Sequence, residues 1–375
     1  MQKISVNEPA ISKNALKYVT DCIKTGWISS SGKYLKDFEE KFAKFLGVKH
    51  AITTTNGTTA LHLAILTLGI KKGDEVILPS HTMMSSATAI VYTGATPVLV
   101  DVERDSWNMD VSQIEKKINK RTKAVMPVHI YGHPVNMDPI IALAKKYHLY
   151  IIEDAAESTG AEYKGRMTGT IGDIGCFSFY ANKIITTGEG GMMVTDNDKI
   201  ANHARLLKDM AHSPQKRFLH KEIGFNFRMT NLQAALGVAQ LEEVKKYIQK
   251  KRWMATLYNE KLSKIKGLTL PIEHNWTKNV YWMYGILVEN DFGISRDEFM
   301  QKLSEKGIDT RTFFIPMHRQ PALRELGLFK GEKYPVSDEI GSRGLYLPSG
   351  LAITEKQIKI VCKAIRDIKN NAQKR

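Results

Sequence analysis

An α/β fold, a mostly parallel sheet covered by helices on both faces, is what this sequence predicts. Two patterns carry the prediction. Short runs rich in Val, Ile and Leu alternate with segments of helical character from Glu75 to Asp154. Strands buried on both faces read as continuous apolar runs of this kind. Near residue 250 the character changes to a mixed helix and strand pattern, which predicts a smaller α+β domain over 251–375 after a large domain over 1–250. Composition agrees: 375 residues, 43% hydrophobic and 25% charged, are enough for a sizeable core and two domains.

In chain order, residues 1–50 read as helical with one interruption at Thr25-Gly-Trp-Ile-Ser-Ser-Ser-Gly32. Trp27 in that segment is either a site residue or the anchor of a surface loop. Leu35, Phe38, Phe42 and Phe45 recur at helical spacing, and Gly47 closes that helix. A strand at His50–Thr55 runs into Asn56-Gly57-Thr58-Thr59 and then a helical run from Ala60 to Leu68. A strand, a Gly/Thr turn and a helix present free amides and a positive dipole end to a phosphate. A plain helix cap by Asn56 or Thr58 explains the same residues.

Strands are expected at 75–79, 96–101, 124–129, 150–154 and 191–196, with helices at 85–93, 110–118, 139–147 and 198–207. Thr230 or Asn231 is placed to cap one long helix through Gln249 and beyond. The second domain is expected to hold strands at 281–288 and 310–314 and helices at 297–306 and 355–368.

The net charge of +15 raises the question of an anionic partner. The densest basic cluster, Lys245, Lys246, Lys250, Lys251 and Arg252, lies beside Glu242 and Glu243 and reads as a solvated helix face. No aromatic interleaving or nucleic-acid motif accompanies it. A diffuse positive field favours small anionic substrates instead. Cys22, Cys176 and Cys362 lie far apart with no CxxC pair, which argues against a disulfide framework or a zinc site and suits a reducing compartment. The first ten residues lack the apolar stretch of a signal peptide, and no run approaches the length of a membrane span. A cytoplasmic protein is expected.

The stretch from Ser178 to Gly191 places Lys183 between an apolar lead-in and Gly188, Gly190 and Gly191. A lysine delivered to such a place loses water, its pKa falls, and its amine becomes the nucleophile that Schiff-base chemistry needs. A lysine on a loop with its ammonium in water is the alternative. Asp154, at the end of an apolar strand, needs a cationic or hydrogen-bonding partner such as a protonated pyridine nitrogen. It is otherwise a helix cap. Ligands on parallel sheets bind at the carboxyl ends of strands, where Asp154 and the turn before Ala60 both fall. His318, after Ile315-Pro-Met, either faces a cleft or packs in the core.

These segments carry a resemblance. Asn56-Gly-Thr-Thr-Ala-Leu-His-Leu63, Pro127-Val-His-Ile-Tyr-Gly132, Glu153-Asp-Ala-Ala-Glu157, Phe177-Ser-Phe-Tyr-Ala-Asn-Lys183, Thr187-Gly-Glu-Gly-Gly191 and Asn226-Phe-Arg-Met-Thr-Asn-Leu-Gln-Ala-Ala235 resemble the DegT/DnrJ/EryC1/StrS sugar aminotransferases. The likeness covers essentially the whole chain. It implies the aspartate-aminotransferase-like fold (fold type I), with a large sheet of seven-stranded type, and pyridoxal 5'-phosphate as cofactor. By position, Lys183 would bind the cofactor covalently and move the proton, and Asp154 would hold the pyridine nitrogen protonated. Gly57, Thr58, Thr59 and Ser178 would hold the phosphate, with Asn226 supplied by the neighbouring subunit of a homodimer. Glu157 stands where many relatives have Gln or His near the ring hydroxyl. Trp27, Arg228 and His318 are candidates for the sugar nucleotide or amino donor. The glycines after Lys183 would let backbone pass close to the cofactor. Where relatives stack Tyr or Trp on the ring, this chain has Met83, with His81 or another residue to compensate.

The expected reaction is transfer of the amino group of L-glutamate to a nucleotide-linked 4-keto-6-deoxyhexose, a GDP-linked sugar being favoured by resemblance. Alternatives are a dTDP- or UDP-linked keto sugar, a cofactor-dependent sugar dehydratase, or a non-catalytic regulator that binds a sugar nucleotide.

Overall fold

A computed structural model describes residues 3–373 except 214 and 217. Its main sheet has seven strands: β1 (His50–Thr54), β2 (Glu75–Pro79), β3 (Thr96–Val100), β4 (Thr122–Val125), β5 (Tyr150–Asp154), β6 (Ile174–Ser178) and β7 (Gly191–Thr195), in the order β1-β7-β6-β5-β4-β2-β3. The pairs β2–β3, β2–β4, β4–β5 and β5–β6 are parallel. Only β7 opposes its neighbours, and it pairs antiparallel with both β1 and β6. The carboxyl ends of β1, β5 and β6 and the start of β7 therefore share one edge. Gly191 is opposite both Thr54 and Ser178 there.

Helices cover this sheet. They include α1 (Lys13–Thr25), α2 (Lys33–Leu46), α3 (Gly57–Thr67), α4 (Met84–Tyr92), α5 (Met137–Tyr147), α6 (Asp198–Lys208) and α7 (Asn231–Glu242). The strand that leads to Lys183 is held by aromatic packing. Phe177 lies 5.1 Å and Phe179 5.4 Å from Phe42 of α2, ring centre to ring centre, and all three rings are buried. With period-two alternation, Ser178 between them turns to the opposite face.

A smaller antiparallel sheet follows: β8 (Leu268–Thr269), β9 (Tyr284–Val288), β10 (Arg311–Thr312) and β11 (Gly344–Leu347), in the order β8-β9-β11-β10. It packs with α8 (Val244–Leu262), α9 (Arg296–Glu305), α10 (Pro335–Arg343) and α11 (Glu355–Ala372). The two sheets are joined closely. Asp101, just after β3, accepts the amides of Val336 and Ser337 at 3.0 and 2.9 Å and the Ser337 hydroxyl at 2.7 Å, so it caps the start of α10. Among the described residues no helix is long and apolar enough to cross a membrane.

The structure departs from the sequence reading in four places. The helix expected at 110–118 is a 3-10 turn, Val111–Gln113, followed by Ile114–Lys117, because the Asp110 carboxylate takes the Ser112 amide at 3.0 Å and tightens the start. The strand expected to reach His129 ends at Val125, near Pro127, which has no amide to donate. The long helix expected after Thr230 breaks at Glu243 into α7 and α8. Lys251 does not join the solvated basic face. It is fully buried, and its ammonium donates to the carbonyls of Trp282, at 2.9 Å, and Ser349. It occupies a core position of α8, in register with the buried Val244, Tyr247, Ile248, Met254, Ala255 and Tyr258.

Candidate active site

The sheet edge described above opens into a cavity of about 450 Å³, within the range of pockets that enclose small molecules. Seven of the residues expected to act together line it: Gly57, Thr58, Met83, Asp154, Glu157, Ser178 and Lys183.

Lys183 reaches the cavity from a closed loop. Phe179 N donates to Gly190 O at 2.8 Å and Thr187 N to Phe179 O at 2.9 Å, which ties the loop's ends together, and Lys183 N donates to Tyr180 O at 2.9 Å within it. The side chain is only 12% exposed, and its amine lies 4.0 Å from Glu157 Oε1 and 3.6 Å from the centre of the Trp282 ring. Burial lowers its pKa, opposed by the charges of Glu157 and Asp154. The lysine in water, the alternative left open by the sequence, is thus excluded.

Asp154 ends β5. Its Oδ2 accepts the Ser86 hydroxyl at 2.7 Å, and its Oδ1 accepts the Ala156 amide at 3.2 Å. No helix follows it, so it is not a cap. Burial pushes its pKa up, partly offset by Ser86, Ala156 and the charge of Lys183. A buried carboxylate of this kind suits a cationic ring nitrogen. Glu157 is also buried. Its Oε2 accepts the Tyr131 amide at 2.7 Å, and Tyr131 holds a left-handed backbone, φ 53°, to supply it. Burial pushes the Glu157 carboxyl up, while Lys183 opposes the shift.

The start of α3 forms another part of the cavity wall. Asn56 caps α3 with its side chain on Thr59 N, at 2.9 Å, and its carbonyl takes Ala60 N at 3.1 Å. The first amides, of Gly57 and Thr58, precede the intrahelical bonding and face outward with the positive end of the dipole. Asn56 is the cap, and the cap leaves the first two helix amides free of intrahelical partners. A Cβ on Gly57 would stand 2.8 Å from Ser178 Cβ, so only glycine lets this turn close against β6. The helix start with its free amides, the buried carboxylate and the lysine amine line one cavity and suit the three ends of pyridoxal phosphate: phosphate, ring nitrogen and aldehyde. The residues present fit that group.

Thr59 does not line the cavity, because its hydroxyl closes the capping box with Asn56 N at 3.1 Å. Met83 does line it and is half exposed, a thioether at the rim where a ring was expected in relatives. His81 does not compensate. It is fully buried among Tyr131, Phe313 and Phe314, bonded to the Tyr131 hydroxyl at 3.1 Å, and burial pushes its pKa down to about 3. Two of the glycines after Lys183 make close contacts within the protein. A Cβ on Gly190 would meet Thr187 Oγ1 at 2.0 Å, and one on Gly191 the Asn56 carbonyl oxygen at 2.2 Å. Gly190 thus lets the loop fold back on Thr187, and Gly191 lets the start of β7 pass against the turn at Asn56.

Four candidates lie outside this chain's cavity. Asn226 and Arg228 bond each other, Arg228 Nε to Asn226 Oδ1 at 2.9 Å, and Arg228 also pairs with Asp209 at 2.9 Å. Trp27 is exposed beside a separate depression with Tyr34 and Asn231. His318 is a core histidine, 3.0 Å from Asp338 and 5.0 Å from the Tyr334 ring centre. Two functional contacts escaped the sequence. Ser86 sits in a segment read only as helix, where a small polar residue on a buried face was the available signal. Trp282 lies 99 positions from Lys183, and nothing local points to it.

Comparison with known proteins decides the family. The model of the DegT/DnrJ/EryC1/StrS aminotransferase family matches residues 9–366. The chain belongs to this family. Relatives within it include GDP-perosamine synthase of Escherichia coli O157:H7, 42% identical over 98% of this chain and 99% of that protein. GDP-perosamine synthase of Vibrio cholerae is 43% identical over the same shares. Among solved structures, the aminotransferase from Psychrobacter cryohalolentis superposes with a TM-score of 0.92 at 32% identity, over 98% of this chain and 99% of that one. S. venezuelae DesV, solved with a ketimine intermediate, gives 0.88 at 34% identity over 95% and 94%.

Proposed function

We propose that this protein is a pyridoxal-phosphate-dependent aminotransferase that moves the amino group of L-glutamate to C-4 of GDP-4-keto-6-deoxymannose, giving GDP-perosamine for a surface polysaccharide such as O-antigen. The observation that carries the reaction class is the buried Lys183 amine sharing one cavity with the buried Asp154 carboxylate. The nucleotide and sugar are supported by the two relatives of that name at 42% and 43% identity.

Bound here, the cofactor would supply an electron sink and carry the amino group between the two substrates. Asp154, fixed by Ser86, would keep the pyridine nitrogen protonated. The amides of Gly57 and Thr58 and the hydroxyl of Ser178 would seat the phosphate. Lys183 Nζ would take the proton from the donor's α-carbon in the first half-reaction and, working in the opposite sense, supply one to C-4 of the sugar in the second. An amine whose pKa is lowered by burial is suited to act as base and acid in turn. Glu157, beside that amine, would face the ring hydroxyl. Asn226 and Arg228 would act on the cavity of a second subunit, which makes the working form a homodimer.

The test is glutamate-dependent turnover across GDP-, dTDP- and UDP-linked 4-keto sugars, with 2-oxoglutarate and the amino sugar both measured. The GDP sugar is expected to be preferred. Equal or faster turnover of a dTDP sugar overturns the nucleotide, and no 2-oxoglutarate with any sugar overturns the reaction. Full activity of a species that sediments as a monomer overturns the shared site.

A further inference from the structure

Lys183 rests on an aromatic surface that is itself tied down from two sides. Its Nζ is 3.6 Å from the centre of the Trp282 ring. The indole N–H donates at 2.9 Å to the carbonyl of Asn182, the residue just before the lysine. The lysine and the ring beneath it are therefore one hydrogen-bonded unit, although they come from distant parts of the chain. Behind the ring, the backbone carbonyl of Trp282 accepts from the buried ammonium of Lys251 at 2.9 Å, and Ser349 O takes a second proton of that ammonium. Gly132, at φ 101°, closes the remaining side. A Cβ there would stand 2.9 Å from Trp282 N and 3.0 Å from Tyr281 N.

We propose that Trp282 is a positioning residue for Lys183: its indole face seats the reactive amine, and Lys251 holds that seat in place. The proposal deepens the reading of Lys183 as the amine that binds the cofactor. An ammonium over a desolvated aromatic face is stabilised by the ring quadrupole, so the ring favours the protonated amine. The groups acting on that amine are the Glu157 and Asp154 carboxylates and the Trp282 ring, with Lys251 on the Trp282 backbone carbonyl. Tyr346 and Glu189 lie further round the cavity wall. Lys251 itself has two carbonyl partners, and burial pulls its pKa down to about 7. A buried lysine facing carbonyls is costly to keep. Loss of its charge would raise the Lys183 pKa and loss of the seat would lower it, so the sign of the change shows which effect dominates.

The experiment is competitive acetylation of the full-length protein freed of cofactor, across a pH series, with Lys183 followed by mass spectrometry and folding checked by circular dichroism. Trp282→Leu is expected to lower the Lys183 pKa by about 0.4–1.5, so that labelling below both pKa values rises about 3- to 30-fold. Trp282→Phe, which keeps an aromatic face, recovers most of that change. Lys251→Met lowers the Lys183 pKa in the same direction, because the seat loosens. Removing Lys251's charge alone would raise it. An unchanged or raised pKa in Trp282→Leu, or no recovery in Trp282→Phe, overturns the role of Trp282. An unchanged or raised pKa in Lys251→Met overturns the role of Lys251. The wild-type protein loaded with cofactor is treated with borohydride in parallel. Absence of a borohydride-sensitive visible band would overturn the reading of Lys183 on which the proposal rests, and it is distinct from any labelling result.

Discussion

Replacing Glu157 by Gln makes the burial of this carboxyl measurable. The side chain is buried, with Oε2 on the Tyr131 amide at 2.7 Å and Oε1 4.0 Å from Lys183 Nζ. Burial pushes its pKa from 4.5 up to about 7. Between those values the folded protein holds a proton that the unfolded chain has released. Stability therefore falls as pH rises through that window, by about 1.4 kcal/mol per pH unit. Across the whole window the ionised carboxyl costs the cofactor-free protein about 3 kcal/mol. The cost is absent below pH ~4.5 and fully present above pH ~7. Gln keeps an oxygen for the Tyr131 amide and cannot ionise. Relative to wild type, Glu157→Gln should thus gain stability steadily as pH rises, up to about 3 kcal/mol at pH ~8. The variant also loses the ion beside Lys183, which shifts its baseline, so the slope with pH is the quantity to compare. Urea unfolding midpoints of the cofactor-free protein at pH ~5, ~6.5 and ~8 measure it. A difference between variant and wild type that is flat with pH, or that shrinks as pH rises, refutes the reasoning.

Lys183→Ala should lower glutamate-dependent turnover by a factor on the order of 10³ or more and abolish the borohydride-sensitive band; near-normal turnover would refute the assignment. Asp154→Asn keeps the contact with Ser86 and removes the charge. It should reduce turnover about 10²-fold or more while leaving the cofactor-free fold intact by circular dichroism, and an unchanged rate would contradict a protonated ring nitrogen at this position. Gly57→Ala places a Cβ 2.8 Å from Ser178 Cβ and should weaken cofactor binding in a fluorescence titration, with about 1–3 kcal/mol lost in stability. Gly132→Ala meets backbone nitrogens at 2.9 and 3.0 Å and a left-handed φ of 101°. It should destabilise the protein by about 2–4 kcal/mol in urea unfolding.

Much of the site was legible because its parts are local. A capping residue and glycine between strand and helix, at Asn56-Gly57, describe a phosphate turn by themselves, since cap and free amides are set by neighbours three or four positions away. Asp154 was legible because it ends an apolar run. Misreadings arose where partners come from afar. Lys251 occupies a core position of a helical period, yet its charge placed it outside until the carbonyls of Trp282 and Ser349 supplied partners. His81 lies two positions before Met83 of the cavity, and its strand end turned it into an aromatic core instead. The glycines after Lys183 were rightly marked as places of close approach, but what approaches is the Asn56 carbonyl and the Thr187 side chain.

By itself the sequence determined the parallel α/β architecture and most of the order of strands and helices, and it singled out Lys183, Asp154 and Gly57 as candidates for one site. Hydrophobic periodicity and helix-end signals act over a few residues and are written in the chain. Only the tertiary structure decided that Lys183 is buried, that Ser86 orients Asp154, and that Trp282 lies under the amine. Those facts depend on strands and loops brought together across the sheet edge. Burial and the pKa shifts that follow from it belong to the assembled surroundings, not to any segment.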